Sequence, residues 1–198
     1  MISKKGCIGV VPFGEIPSVA LKTITDHIHR ILGLETEILP PLEKPSYAFD
    51  KRRMQYDAAI ILNRFKSLPF QNYLKVIGIL NFDLFIPVFT HVMGQAQEGG
   101  KYALASMYRL RSDSAGNQPS PGEILDRLAK VVLHETGHLF SVPHCMNEEC
   151  LMHFSDSLEA LDTICFSLCR YCAQYLKDFI RREVGNATSV SRAYRSVV

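Results

Sequence analysis

His134-Glu135-Thr136-Gly137-His138-Leu139-Phe140-Ser141-Val142-Pro143-His144-Cys145 is the stretch on which the reading of this chain turns. On a helix, residues four apart advance about 400° and share a face, so His134 and His138 can offer two imidazoles to one ion. Glu135 lies about 100° round from His134, which sets its carboxylate beside the open coordination position instead of on the metal. From there it can take a proton from water. A catalytic zinc needs a third protein ligand, and His144 is the candidate. Continued helix would carry His144 about 600° beyond His138, pointing elsewhere. The helix must therefore break between Phe140 and Pro143. Pro143 favours the break because it restricts Val142 to extended backbone. The competing reading is an ordinary helix with two unrelated histidines; His144 at this offset and the cysteines beside it weigh against that.

Upstream, Ser120-Pro121-Gly122-Glu123 has the form of a helix start, with Ser120 as N-cap, Pro121 in the first turn and Glu123 closing a capping box. The helix then runs through Ile124, Leu125, Leu128, Val131 and Val132 to about Phe140. Downstream, Cys145-x4-Cys150 and Cys169-x2-Cys172 form two thiolate pairs, the ligand set of a closed structural zinc site. Two Zn2+ per chain are therefore expected, one catalytic and one structural. His144 and Cys145 are consecutive, so the second site would hold the loop that aims His144. Cys7 and Cys165 have no such pairing and read as core residues.

Further out, Gly6 to Val11 reads as a buried strand and Val19 to Ile31 as an amphipathic helix ending near Gly33. Glu37 to Leu39 reads as a strand, Tyr56 to Phe65 as a helix and Val76 to Leu80 as a central strand. That β-α-β-α-β order predicts the α/β class. Tyr102 to Leu110 reads as an edge strand, which a peptide could extend or which Arg109 and Arg111 could protect. Ser112 to Gly122 reads as a polar loop and Tyr171 to Val184 as a last amphipathic helix. One domain is expected over 1–185, with an upper lobe to about 140, a C-terminal lobe over 141–185, and a flexible tail over 186–198. Asp162 could accept a hydrogen bond from a metal-bound histidine or be a plain surface carboxylate. His27, His29, His91 and His153 read as structural or surface groups.

Composition narrows the function classes. Among 198 residues, 22 Lys+Arg against 20 Asp+Glu leave a formal charge of +2, which argues against a grip on nucleic acid. Apolar residues make up 47%, enough for a packed core. No apolar run approaches the roughly 20 residues of a membrane span, so no membrane partner is expected. Clustered cysteines without an export signal point to reduced thiols and the cytoplasm. No glycine-rich phosphate loop is present.

The pattern His134-Glu135-x2-His138-x5-His144-Cys145-x4-Cys150-x-Met152, followed by Cys169-x2-Cys172, is similar to that of the archaemetzincins, short members of the metzincin group of zinc peptidases. The signature covers Leu133 to Cys172. Weaker likeness at Asp83-Leu84-Phe85-Ile86-Pro87-Val88 and Phe154-Ser155-Asp156-Ser157-Leu158 extends it over most of the chain. The resemblance implies a compact metzincin-like α/β domain with a small mixed twisted sheet, an edge strand over the cleft, a long active-site helix and a C-terminal subdomain held by zinc on four cysteines. It implies His134, His138 and His144 as catalytic zinc ligands, Glu135 as general base, and Cys145, Cys150, Cys169 and Cys172 as ligands of the second zinc. Met152 would form the Met-turn, a hydrophobic floor beneath the metal. One departure stands out: metzincins carry Gly three residues after the second His, where the chain turns sharply, and here that residue is Ser141. A left-handed backbone at a non-Gly residue costs roughly 1–2 kcal/mol.

The expected activity is hydrolysis of peptide bonds in a peptide or protein substrate, as a narrow-specificity peptidase or an aminopeptidase. The alternative is a zinc-stabilised peptide-binding module with little or no turnover. Hydrolysis of a non-peptide amide fits the same ligand set. The oligomeric state is left open.

Overall fold

The computed structural model describes residues 6–111 and 118–193. In chain order the elements are β1 (Cys7–Pro12), α1 (Ser18–Leu32), β2 (Glu35–Ile38), β3 (Phe49–Asp50), β4 (Gln55–Asp57), α2 (Ala58–Phe65), β5 (Lys75–Leu80), β6 (Leu84–Ile86), β7 (Phe89–Val92), β8 (Gly94–Ala96), β9 (Tyr102–Ser106), α3 (Pro121–Leu139), α4 (Leu158–Thr163) and α5 (Arg170–Ala193).

Five strands form the main sheet in the order β2-β1-β5-β9-β8. The first four are parallel, and β8 runs antiparallel to β9. A smaller sheet has the order β3-β4-β6-β7. On one face of the main sheet, Ile8, Val10, Ile77 and Ile79 join Ile24 and Ile28 of α1 and Leu128 and Val132 of α3 in one core. On the other face, Val11, Val76 and Leu104 pack with Ile61 and Phe65 of α2. The parallel strands thus bury both faces, which is why Val76 to Leu80 reads as a continuous apolar run. The mixed α/β architecture is the expected class.

Several boundaries differ from the sequence reading. Tyr56 belongs to β4, and α2 begins only after Asp57, whose carboxylate accepts from the backbone N–H of Ala59 (2.9 Å) and Ile60 (3.1 Å). An Asp N-cap of this kind fixes where a helix can start. Tyr102 to Leu110 is not an edge strand. Residues 102–106 form β9, buried throughout between β5 and β8, and Tyr108–Arg111 is a 3-10 turn. Ala103 and Ala105 hide the fact: small residues on one face of an interior strand look like loose alternation. The edge strand is β8. Arg109 does not guard an edge either, because it makes a bidentate pair with Asp83 (2.6 and 2.7 Å). The same carboxylate accepts from Gln55 (3.0 Å), which ties the small sheet together.

At the C-terminal end, α5 continues to Ala193, so the segment from 186 to 193 is helical rather than a tail. Lys75 is buried beneath this helix and pairs with Glu183 at 2.8 Å. Cys165 is exposed and Cys7 half-buried, so neither is a core residue in full. Residues 112–117 of the expected polar loop, residues 194–198 and Met1 to Lys5 lie outside the described residues. Among the described residues, no helix is long and apolar enough to cross a membrane.

Candidate functional site

Helix α3 carries the site. Its start is fixed as the sequence predicts: the Ser120 hydroxyl accepts from the Glu123 N–H, the Glu123 carboxylate accepts from the Ser120 N–H, and Pro121 occupies the first turn. Leu128, Ala129, Val132 and Leu133 are buried, which holds the helix against the sheet. A second anchor went unread in the sequence. Buried Arg127 forms a bidentate pair with Asp162 (2.8 and 2.6 Å) and donates to the Leu110 carbonyl (3.1 Å). Asp162 therefore neither orients a metal-binding histidine nor stands alone at the surface; it neutralises this guanidinium and ties α4 to α3.

The helix breaks where expected. The Phe140 and Val142 N–H groups both turn back to the Gly137 carbonyl (3.0 Å each), and Ser141 adopts φ 59°. Ser141 thus occupies the left-handed conformation that glycine adopts most readily. Ser141→Gly is expected to raise stability by about 0.5–1 kcal/mol in urea unfolding, because relief of roughly 1–2 kcal/mol of backbone strain exceeds the entropy glycine adds to the unfolded chain. A fall in stability would show that the contact of the Ser141 side chain with Gly99 outweighs the strain.

The reversal brings His144 back to the other two imidazoles. His138 Nε2 lies 3.0 Å from His134 Nε2 and 3.2 Å from His144 Nε2. His134 Nδ1–H donates to the Leu151 carbonyl and His138 Nδ1–H to the Val142 carbonyl, both at 2.9 Å. These bonds place the proton of each ring on Nδ1, so the facing Nε2 atoms of neutral rings carry only lone pairs. Burial pushes the His134 pKa down to about 3 and also lowers those of His138 and His144, so protons do not resolve the repulsion near neutrality. A cation does. Zn–N bonds of 2.0–2.1 Å in a tetrahedron put the nitrogens about 3.4 Å apart, close to the spacing found.

Glu135 adds a second sign. It is only 8% exposed, and burial alone pushes its carboxyl up to about 8. An ion among the three neutral imidazoles supplies the opposite charge this group lacks. Strand β8 makes room for it: a Cβ on Gly94 would stand 2.6 Å from Glu135 Cγ and Oε1. Beneath the histidines, Met152 is fully buried and packs so closely under α3 that a Cβ on Gly137 would collide with its Sδ. That position suits a floor beneath an ion held by the three imidazoles.

The four cysteines converge as well. The Sγ atoms of Cys145, Cys150, Cys169 and Cys172 all lie within 4.8 Å of one another, with Cys145 and Cys169 at 3.8 Å. That is far beyond a disulfide bond of about 2.05 Å and equals the edge of a tetrahedron with Zn–S of about 2.3 Å. Backbone N–H groups turn toward the sulfurs, that of Cys169 donating to Cys150 Sγ (3.3 Å) and that of Asn147 to Cys145 Sγ (3.5 Å). The Cys172 N–H helps pull the Cys169 thiol down to about 7, while burial raises Cys150 and Cys172. Four thiols this close cannot all ionise without a cation between them. The two clusters share backbone: the Cys145 N–H donates to the Met152 carbonyl (2.8 Å), and His153, read as merely structural, donates from Nδ1 to the Cys145 carbonyl (2.9 Å).

Around the histidines opens a cleft of about 800 Å³. Its walls were not read from the sequence. One side is β7 and β8 with Glu98; the other includes Lys130, Phe154, Leu161 and Ile164. His91, taken as structural, also lines it. Only Lys130 left a signal, since it precedes His134 by one helical turn.

Comparison with known proteins agrees with this geometry. Residues 21–178 match peptidase family M54. The archaemetzincin of Methanocaldococcus jannaschii is 33% identical over 171 residues, covering 86% of this chain and 93% of the relative. The crystal structure of archaemetzincin from Methanopyrus kandleri superposes with a TM-score of 0.78 at 31% identity, over 88% of this chain and 95% of that one. The Archaeoglobus fulgidus archaemetzincin, solved in complex with malonate, gives a TM-score of 0.74 at 27% identity, over 85% and 99%. The chain belongs to peptidase family M54, the archaemetzincins, and is a zinc metallopeptidase.

Proposed function

We propose that the chain cleaves peptide bonds in the cleft above His134, His138 and His144, with Glu135 as general base and two zinc ions per chain. The observation that carries this reading is the meeting of three Nε2 atoms beside a buried carboxylate that is not among them. When bound at the three imidazoles, zinc supplies a Lewis acid that acidifies water and polarises a carbonyl. The Nδ1–H bonds to Leu151 and Val142 hold two of the rings in the ligating tautomer. Glu135 takes the proton from the attacking water and hands it to the departing amine nitrogen. Strand β8 pairs with β9 on one side only, so its other edge can hold an extended substrate backbone to backbone. The four thiolates, reduced as in a cytoplasmic setting, clamp the loop that carries His144.

Glu98 favours the aminopeptidase form of this reading. It lines the cleft, and its charge partly offsets the lowering that burial imposes on His138 and His144. A carboxylate there suits the free α-ammonium of a substrate. The test is a peptide library incubated with zinc-loaded protein and followed by mass spectrometry, with each peptide supplied free and N-acetylated. Cleavage that stops with 1,10-phenanthroline, returns with zinc and falls on acetylation is expected. Cleavage indifferent to acetylation would remove the aminopeptidase assignment. Peptide binding without turnover at two zinc ions per chain would favour the binding-module alternative.

A further inference from the structure

The cleft contains a buried ammonium that hydrolysis itself does not require. We propose that Lys130 makes the part of the cleft beyond His134 a subsite for a carboxylate of the substrate. The inference rests on the cleft being the substrate site, and it adds what that site selects.

Lys130, His134 and His138 succeed one another at four-residue intervals, so they share one face of α3. The Lys130 side chain is 8% exposed yet lines the cleft, between Val131 on its own helix and Leu161 and Ile164 opposite. Its Nζ donates to the carbonyls of Leu161 (3.0 Å) and Asp162 (3.2 Å), at the C-terminal end of α4. An ammonium has three donors, and these bonds use two of them. Among the described residues no acceptor takes the third; the ring of Phe166 lies 5.6 Å away, and the Cys165 thiol is near enough to act on the charge.

Among the described residues, no carboxylate forms an ion pair with this ammonium. Asp162 is engaged by Arg127, and Asp126, one turn back on α3, acts only at a distance. Burial lowers the Lys130 pKa more than Asp162, Asp126 and Cys165 raise it, and Arg127 adds to the lowering, so the charge is left under-compensated. Elsewhere on the cleft lining, Glu98 acts on His138 and His144, Glu135 follows His134 directly in the chain, and Asp156 also contributes. The cleft lining thus holds three carboxylates and, in Lys130, one lysine. A substrate carboxylate in the apolar pocket at Lys130 would take the third donor in a water-poor setting, where a charged hydrogen bond is strong. It would come from a Glu or Asp side chain or from the free C-terminus of a short peptide. If Lys130 is only a strut that holds α4 to α3, the cleft has no such preference.

The deciding measurement is binding to the zinc-loaded Glu135→Ala protein, in which turnover does not interfere. Calorimetry compares Ala-Ala-Ala-Xaa-Ala-Ala with Xaa as Glu or Gln, each as C-terminal amide and as free acid. The carboxylate form of at least one pair is expected to bind about tenfold or more tightly. A Glu-over-Gln gain assigns the side chain, and an acid-over-amide gain assigns the terminus. Adding Lys130→Gln, which keeps donors for the α4 carbonyls and removes the charge, is expected to bring that ratio to within about twofold; Lys130→Arg should keep part of it. Ratios near one with Lys130 in place overturn the proposal without any further variant. So does a ratio that survives Lys130→Gln. The unmodified protein separates the two readings: cleavage with no acidic preference sinks the subsite and leaves hydrolysis standing, whereas carboxylate-selective binding with no cleavage does the reverse.

Discussion

Glu135→Ala is expected to lower kcat/KM by about 10²–10⁴-fold while the zinc content stays at its original value. The side chain is one residue from His134, yet it is absent from the three-histidine cluster and lies against Gly94 of β8 instead. Burial pushes its carboxyl up to about 8, and a zinc ion at the three imidazoles would draw it back toward the range in which a general base works at neutral pH. The space it occupies is built for it, since any residue larger than glycine at position 94 would displace it. Rate and metal content must be measured together. Loss of rate with both ions retained supports proton transfer. An unchanged rate removes Glu135 from the mechanism, and loss of the ion would make the carboxylate a ligand after all.

What could be read in the sequence follows from how local each feature is. The capping box, the two histidines one turn apart and the break before Pro143 are set by neighbours within a few residues, and the structure has all of them. The left-handed Ser141 belongs to the same group, since the turn geometry follows from where His144 must return. Pairings between distant segments were not legible. Arg127 with Asp162 and Arg109 with Asp83 each bring together charges that look solvated in isolation. Strand β8 escaped notice because it is three residues long, and β9 was mistaken for the edge because its small residues mimic alternation. The fixing of Lys130 in the cleft wall depends on α4 packing against α3, which no local pattern encodes.

Cys150→Ser is expected to empty the four-cysteine site and to weaken zinc binding at the histidine site as well. The direct loss is that of a thiolate from a four-ligand site, for which binding energy is also folding energy. The indirect loss runs through the backbone on either side of the residue. The next carbonyl, that of Leu151, fixes the ring of His134, and the one after, that of Met152, takes the Cys145 N–H and so holds His144 in place. The Cys150 carbonyl itself accepts from the His153 N–H at 2.7 Å, closing the turn around Met152. Releasing Cys150 therefore frees one ligand orienter, the floor residue and the strand behind the third histidine together. Loss of such outer contacts lowers metal affinity by about 10–100-fold, so the histidine site should yield its zinc to a competing chelator at correspondingly lower concentration. Cys165→Ser, exposed and outside the cluster, should retain both ions under the same titration. If Cys150→Ser keeps one zinc at undiminished affinity, the two sites are independent, and the adjacency of His144 and Cys145 has no mechanical consequence.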